Sequence, residues 1–225
     1  MKYLRVLILA LIALSVTGCI EIIDDLTLNM DGSGSFKYNI NLSSSKVKIN
    51  SILALDSLDG KRVPSIGEIK QKIDRLNEQL KSEKGISNVS LTADYTNYVF
   101  KFSCDFASLA ELQSAIKTIA LSENSGKAIP ELDHKWLIFS GSQLNRSVPE
   151  ITIKKSKEIK SADRLLLKEG SYTSITRFES EIEKFDNDQA KVSANKKAIM
   201  LRTDPYSLTQ NPSLLDNTIY LKKSE

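Results

Sequence analysis

The chain has 225 residues with 31 basic against 28 acidic side chains, a formal net charge of +3, one histidine and two cysteines. With no polybasic run and no aromatic-basic stripe, charge implies neither nucleic acid nor an anionic lipid surface as partner. One histidine, no spare cysteine pair and no H-E-x-x-H leave only carboxylates as metal ligands, and no phosphate loop, dinucleotide fingerprint or G-x-S-x-G is present.

In chain order, Lys2 and Arg5 precede an apolar run from Val6 to Val16 that ends in small residues, the layout of a secretory signal. A membrane-spanning helix needs roughly 20 apolar residues, so the run is too short to be one. Residues 1–18 are therefore expected to be a signal peptide, and residues 19–225 a single domain. At the end of the run, Val16-Thr17-Gly18-Cys19 resembles the bacterial lipobox. That resemblance implies cleavage before Cys19 and a diacylglyceryl group on its sulfur, and two or more acyl chains anchor a protein stably to a bilayer. The alternative is an ordinary exported protein with Cys19 and Cys104 joined in a disulfide. Ile20 stands where an inner-membrane retention signal usually has aspartate, so by the same resemblance the outer membrane is the expected destination.

From Ile20 to Met30 the even positions Ile20, Ile22, Leu26, Leu28 and Met30 are apolar, and Glu21, Asp25, Thr27 and Asn29 are polar. Phe36, Tyr38, Ile40 and Leu42 resume the alternation after D-G-S-G, a tetrad common in EF-hand loops. Period two on both sides predicts strands where an EF-hand requires helices, and a loop starting at Asn29 would place Ile40 where the bidentate Glu belongs. The tetrad is thus expected to be a hairpin turn, with Gly32 and Gly34 at positive φ and Asp31 capping it.

Residues 45–58 are weakly amphipathic, with Ile49, Ile52 and Leu53 at helical spacing, and Asp59-Gly60 and Pro64 interrupt them. Ser65 should cap a helix whose Ile66, Ile69, Ile73, Leu76 and Leu80 form a core-facing stripe ended by Gly85. A second hairpin is expected from Ile86–Ala93 and Tyr98–Phe106, turning at Asp94–Asn97. Its alternation points Cys104 into the core as a small hydrophobe. Ser108 should cap a further helix carrying Leu109, Leu112, Ile116 and Ile119, followed by a polar loop from Ser122 to Pro130.

The stretch H-K-W-L-I-F-S is apolar on both faces around Trp136 and Phe139, which predicts a central, covered strand. Ile151 and Ile153 suggest a short strand running into the lysine-rich 154–160, a solvated edge. Tyr172, Ile175, Phe178, Ile182 and Phe185 fit a helix by spacing and a strand by composition. Strands are expected at Ala198–Arg202 and Asn217–Lys222, with a helical turn at Asp204-Pro205 between them.

A lipobox cysteine, an immediate strand, a D-G-S-G turn and a returning strand resemble uncharacterised bacterial lipoproteins and, more distantly, LppM-type lipoproteins. The C-terminal order of strand, polar turn at Ser193-Ala194-Asn195 and strand through Ile199 fits that resemblance too, and favours strand for residues 172–182. It implies an α+β envelope module with lipid contact. The fold class expected is α+β, a single domain of antiparallel hairpins and sheet packed with two to three amphipathic helices.

Chemistry is sparse. His134 would be the only base for a serine nucleophile, yet Asp133 beside it on a strand points the other way, so an exposed histidine without catalytic role is expected. Glu179, Glu181 and Glu183 alternate as a solvated strand face. No catalytic, metal or cofactor residues are expected, and Cys19 is the one functional residue, for lipid attachment. The function expected is a non-enzymatic, membrane-tethered binding or assembly module with an envelope protein or lipid as partner. The alternative is a periplasmic carboxylate-based hydrolase acting on cell-envelope glycan.

Overall fold

The computed structural model describes residues 20–123, 129–148, 150 and 167–222, so Cys19, Ile151, Ile153 and the lysine-rich 154–160 lie outside the described residues. The strands are β1 (Glu21–Leu28), β2 (Gly34–Asn41), β3 (Ser57–Leu58), β4 (Lys61–Arg62), β5 (Ile86–Asp94), β6 (Val99–Phe106), β7 (Leu137–Ser140), β8 (Gln143–Arg146), β9 (Ser171–Phe178), β10 (Ile182–Phe185), β11 (Lys191–Val192), β12 (Ala198–Thr203) and β13 (Asn217–Leu221). The helices are α1 (Lys46–Leu53), α2 (Ile66–Ser82), α3 (Leu109–Glu123) and α4 (Pro205–Gln210).

A seven-stranded sheet in the order β11-β12-β9-β1-β2-β6-β5 is antiparallel except at its centre, where β1 runs parallel to β9 with Glu21 opposite Ser171 and Leu28 opposite Phe178. A four-stranded antiparallel sheet, β10-β13-β8-β7, accompanies it. This is the α+β class that the alternation predicts. Side chains one residue apart on a strand face opposite ways. Leu26 and Leu28 of β1, Phe178 of β9, Ile199 of β12, and Cys104 and Phe106 of β6 accordingly share one core. Leu144, Ile219, Leu221 and Ile182 of the second sheet, with Leu109, Leu112 and Ala115 of α3, belong to it as well.

The D-G-S-G tetrad is a hairpin turn. Asp31 Oδ1 accepts from the Ser33 N–H at 2.9 Å and the Ser33 hydroxyl at 2.6 Å, and Gly32 has φ +87°. Gly34 departs from expectation, because it is a strand residue outside the positive-φ region. It is needed for close approach: a Cβ there would stand 1.9 Å from Thr27 O and 2.7 Å from the Phe106 ring.

Two apolar stretches occupy less covered places than their composition suggests. β7 is the edge of its sheet and no central strand, with Leu137 buried and Ile138 47 % exposed. Apolarity on both faces reflects one face in the core and one left open. The α2 stripe is only half-buried, with no fully buried residue, because α2 covers the edge strand β5 and reaches the core through Leu80 alone. The start of α2 matches its sequence: Ser65 Oγ accepts from the Glu68 N–H and Glu68 returns the bond to the Ser65 N–H, a capping box. Residues 172–185 are strand, as β9 and β10 with a bend between them, and Asp59-Gly60 turns the small β3–β4 hairpin. Tyr98 is a buried turn residue with φ +55°, not the first strand residue of β6. No described helix is long and apolar enough to cross a membrane.

Gly34→Ala should destabilise the protein by more than about 3 kcal/mol, since backbone and ring must both move. Gly32→Ala meets open space and should cost only the left-handed backbone term, about 1–2 kcal/mol; denaturant midpoints of the two variants check the order. Cys104 is 2 % exposed, and burial, then Asp105, pushes its thiol up to about 11. The folded chain therefore holds that proton when the unfolded chain releases it, so stability is complete below pH 9 and falls as pH rises toward 11. Cys104→Ala should flatten the decline in melting temperature between pH 9 and pH 10, below the range where Tyr38, pushed up to about 12, contributes.

Candidate functional site

Ile22, Asp24 and Leu26 occupy the inward phase of β1. Asp24 is thus an acid on an apolar face, 2 % exposed. An isolated buried carboxylate is costly unless paired and hydrogen-bonded. Register supplies the partners. β9 places Tyr172 opposite Ile22, one step along the same face, and its hydroxyl donates to Asp24 Oδ2. From the second sheet, Arg146 at the end of β8 donates through Nη2 to Asp24 Oδ1 at 2.5 Å and through Nη1 to Thr176 Oγ1 at 3.1 Å. Burial alone would lower the Arg146 guanidinium, but Asp24 and Tyr172 beside it hold it raised. Burial and then Asp24 raise Tyr172 well above the ordinary range and Tyr38 up to about 12, so both phenols stay protonated.

These polar groups form part of the wall of a cavity of about 410 Å³. The rest is mainly apolar: Leu26 and Phe36 from the large sheet, Leu112 and Ile116 from α3, Trp136 and Leu137 before and within β7, and Leu208, Pro212 and Leu215 from the C-terminal helical turns. Its size lies within the roughly 300–1,000 Å³ usual for ligand sites, and an apolar cavity with a few convergent polar groups is their common form. Beside it, an open polar cleft is lined by Asn145, Asp186, Asp188, Asn211, Asp216 and Asn217 among others, and Arg146 and Ser147 line both.

The residues singled out in the sequence fall elsewhere. His134 is half-buried, its Nε2 3.2 Å from Ser147 Oγ, and its Nδ1 is 3.7 Å from Glu150 Oε1. That last separation is beyond a hydrogen bond and Glu150 is 55 % exposed by side chain, so it does not orient the imidazole as a triad acid does. Glu179 accepts from the Met30 N–H at 3.0 Å, Glu181 pairs with Lys222 at 2.6 Å and Glu183 is exposed. Asp24, Arg146 and Tyr172 were not singled out by sequence reasoning. The one available signal was Asp24 standing in the apolar phase of β1.

Fold and site together define an α+β domain holding an apolar cavity with a buried ion pair in its wall. The chain is similar to the folded domain of Mycobacterium tuberculosis LppM, solved by NMR, with a TM-score of 0.43, 12% sequence identity and 92% of each chain covered. That degree of likeness carries nothing about function. No family model and no curated protein matches.

Arg146→Met leaves Asp24 buried without its cation and should cost about 3–5 kcal/mol. The Asp24→Leu/Arg146→Met double variant removes both charges and should regain most of that loss in urea denaturation, whereas a loss equal to the sum of the two single variants would show that the residues do not act as a pair.

Proposed function

We propose that this chain is an envelope lipoprotein, held to the outer membrane through acylated Cys19, whose cavity receives an apolar molecule with a polar end. The cavity itself is the observation that supports binding. A wall of Leu26, Phe36, Leu112 and Ile116 suits an acyl chain or a comparable apolar body, and Asp24, Arg146 and the tyrosine hydroxyls give one stretch of it hydrogen-bonding character. The lipobox of Val16-Thr17-Gly18-Cys19 supports the anchor. Binding without catalysis is the reading favoured, because the one carboxylate that the described residues bring to the cavity wall is committed to a guanidinium and a phenol.

One observation favours a second reading, the glycan hydrolase. In the polar cleft, burial holds the Asp216 carboxyl above its ordinary range and Asp186 adds to the effect, as a general acid requires. Against it, no aromatic among the described residues lines that cleft to stack on a sugar, and Asp186 Oδ1 is taken by the Thr218 N–H at 2.6 Å. Release of reducing ends from envelope glycan by the wild-type protein, lost in Asp216→Asn, would place the hydrolase first.

Binding is tested with a fluorescent long-chain fatty acid titrated into the purified chain. Ile116→Trp fills the cavity from α3 and should weaken binding about tenfold, equivalent to ~1.4 kcal/mol. Unchanged affinity in that variant would remove the cavity as the site. The anchor is tested by intact mass: a lipid increment on Cys19 is expected, and an unmodified Cys19 or a Cys19–Cys104 disulfide would overturn it.

A further inference from the structure

Six large hydrophobic side chains stand substantially exposed among the described residues, and four of them, Val47, Leu55, Leu58 and Ile66, fall between β2 and the first turn of α2. Val47 is 81 % exposed, Leu55 46 % and Leu58 44 %. The other two, Ile138 and Phe185, lie singly on strands of the smaller sheet. Scattered single exposures are ordinary on any surface; a cluster in one short excursion is not.

Strand register fixes where this excursion lies. Glu21 is opposite Asn41 of β2 and Ser171 of β9, and Asn41 is opposite Val99 of β6. Ile20, Leu42 and the turn between β5 and β6 therefore gather at one end of the large sheet. α1 is fastened to that turn, with the Lys46 ammonium donating to Asn97 Oδ1 at 3.2 Å and the Tyr98 hydroxyl donating to Asn50 Oδ1. α2 begins at the same end, where the Lys70 ammonium stands 5.0 Å above the Tyr95 ring. The exposed apolar side chains thus belong to a segment fastened at the same end of the sheet as Ile20.

We propose that the excursion formed by α1 and the β3–β4 hairpin is a membrane-contact surface. Val47, Leu55 and Leu58 enter the boundary between headgroups and acyl chains, and Lys48 and Lys61 at its rim face anionic headgroups. The proposal rests on the lipid-anchor reading. Four cations, Lys46, Lys48, Lys61 and Arg62, stand against Asp56 and Asp59 in this stretch, but Arg62 is paired with Glu68 at 2.7 Å. The attraction is therefore modest and the apolar side chains carry the contact. A modest surface suffices beside an anchor, since tethering makes the second contact intramolecular and raises its effective concentration. A bilayer is also the one partner that an anchor at residue 19 would hold permanently against this end of the sheet.

The test uses the full chain processed and acylated in its host, reconstituted into phosphatidylcholine–phosphatidylglycerol vesicles that contain spin-labelled lipid as quencher. A dye is placed on Leu55→Cys, on Leu58→Cys, or on Ser33→Cys in the turn at the opposite end, about 25 Å away along eight strand residues. Cys104 is buried and takes no label. Quenching at residues 55 and 58 should exceed that at residue 33 several-fold, and Val47→Asp should reduce it at residue 55 while the amount of vesicle-bound protein stays the same. Equal quenching at the three positions, or none at residues 55 and 58 with the chain on the vesicles, overturns the membrane-contact surface and leaves the anchor standing. Cross-linking of two chains through residue 55 or 58 in place of quenching overturns it in favour of a protein partner. An unmodified Cys19 in the mass spectrum of the same sample overturns the anchor, and the contact surface with it, independently of the quenching ratio.

Discussion

The Asp24–Arg146 pair is the constraint around which the two sheets are arranged. Asp24 comes from the inner face of the central strand of the large sheet, and Arg146 from the end of a strand in the small one. Neither charge can be left alone in the interior, so the sheets must meet where the two side chains meet. The neighbouring residue makes the register unambiguous. Asp25 points to the outer face and is held by Arg177 of β9 at 2.9 Å. A slip of β1 by one residue would turn Asp24 to solvent, bring Asp25 inward without Arg146 and expose Leu26 and Leu28. Adjacent aspartates with separate arginines on opposite faces therefore specify one alignment.

Local pattern was enough for the hairpins. Period two in residues 20–42 and 86–106 marks strands, and the turn residues between them supply the connection, so β1–β2 and β5–β6 were legible. The parallel pairing of β1 with β9 was not, since nothing local links Asp24 to Tyr172 at a separation of 148 residues. β7 was misplaced because apolar residues on both faces arise equally in a covered central strand and in an edge strand with one bare face. The α2 stripe has core spacing, but spacing cannot say how far a helix sits from the core, and this one lies over a sheet edge. The site stayed hidden for a related reason: Arg146 becomes a partner for Asp24 only once the second sheet folds over the first.

The domain has two unlike ends. At the end with the D-G-S-G turn, Asp31 and Ser33 close a compact polar loop. At the other end the chain enters at Ile20, and its backbone carbonyl accepts from the Ser171 N–H at 2.7 Å. Gly170 admits the close contact there, since a Cβ would stand 2.9 Å from Ile20 O and 3.2 Å from Pro205. Leu167, Pro205 and Leu208, which line the cavity, come from segments adjoining this entry point. The cavity wall and the exposed α1 excursion therefore both draw on the entry end of the sheet, which joins the binding reading and the anchor reading in one geometry.

The central place of β1 also bears on the order in which the molecule can assemble. The first of the described strands has one neighbour that follows within a few residues and another that begins only at Ser171. Until that second neighbour arrives, the middle of the future sheet is an open edge with unpaired N–H and C=O groups, which is the condition that invites pairing with other chains. Closing so long a loop before any contact rewards it makes the β1–β9 pairing slow. Among the described strands β1 is thus the one whose second edge is completed from farthest along the chain, and shielding of that edge before Ser171 is available would protect the centre of the sheet.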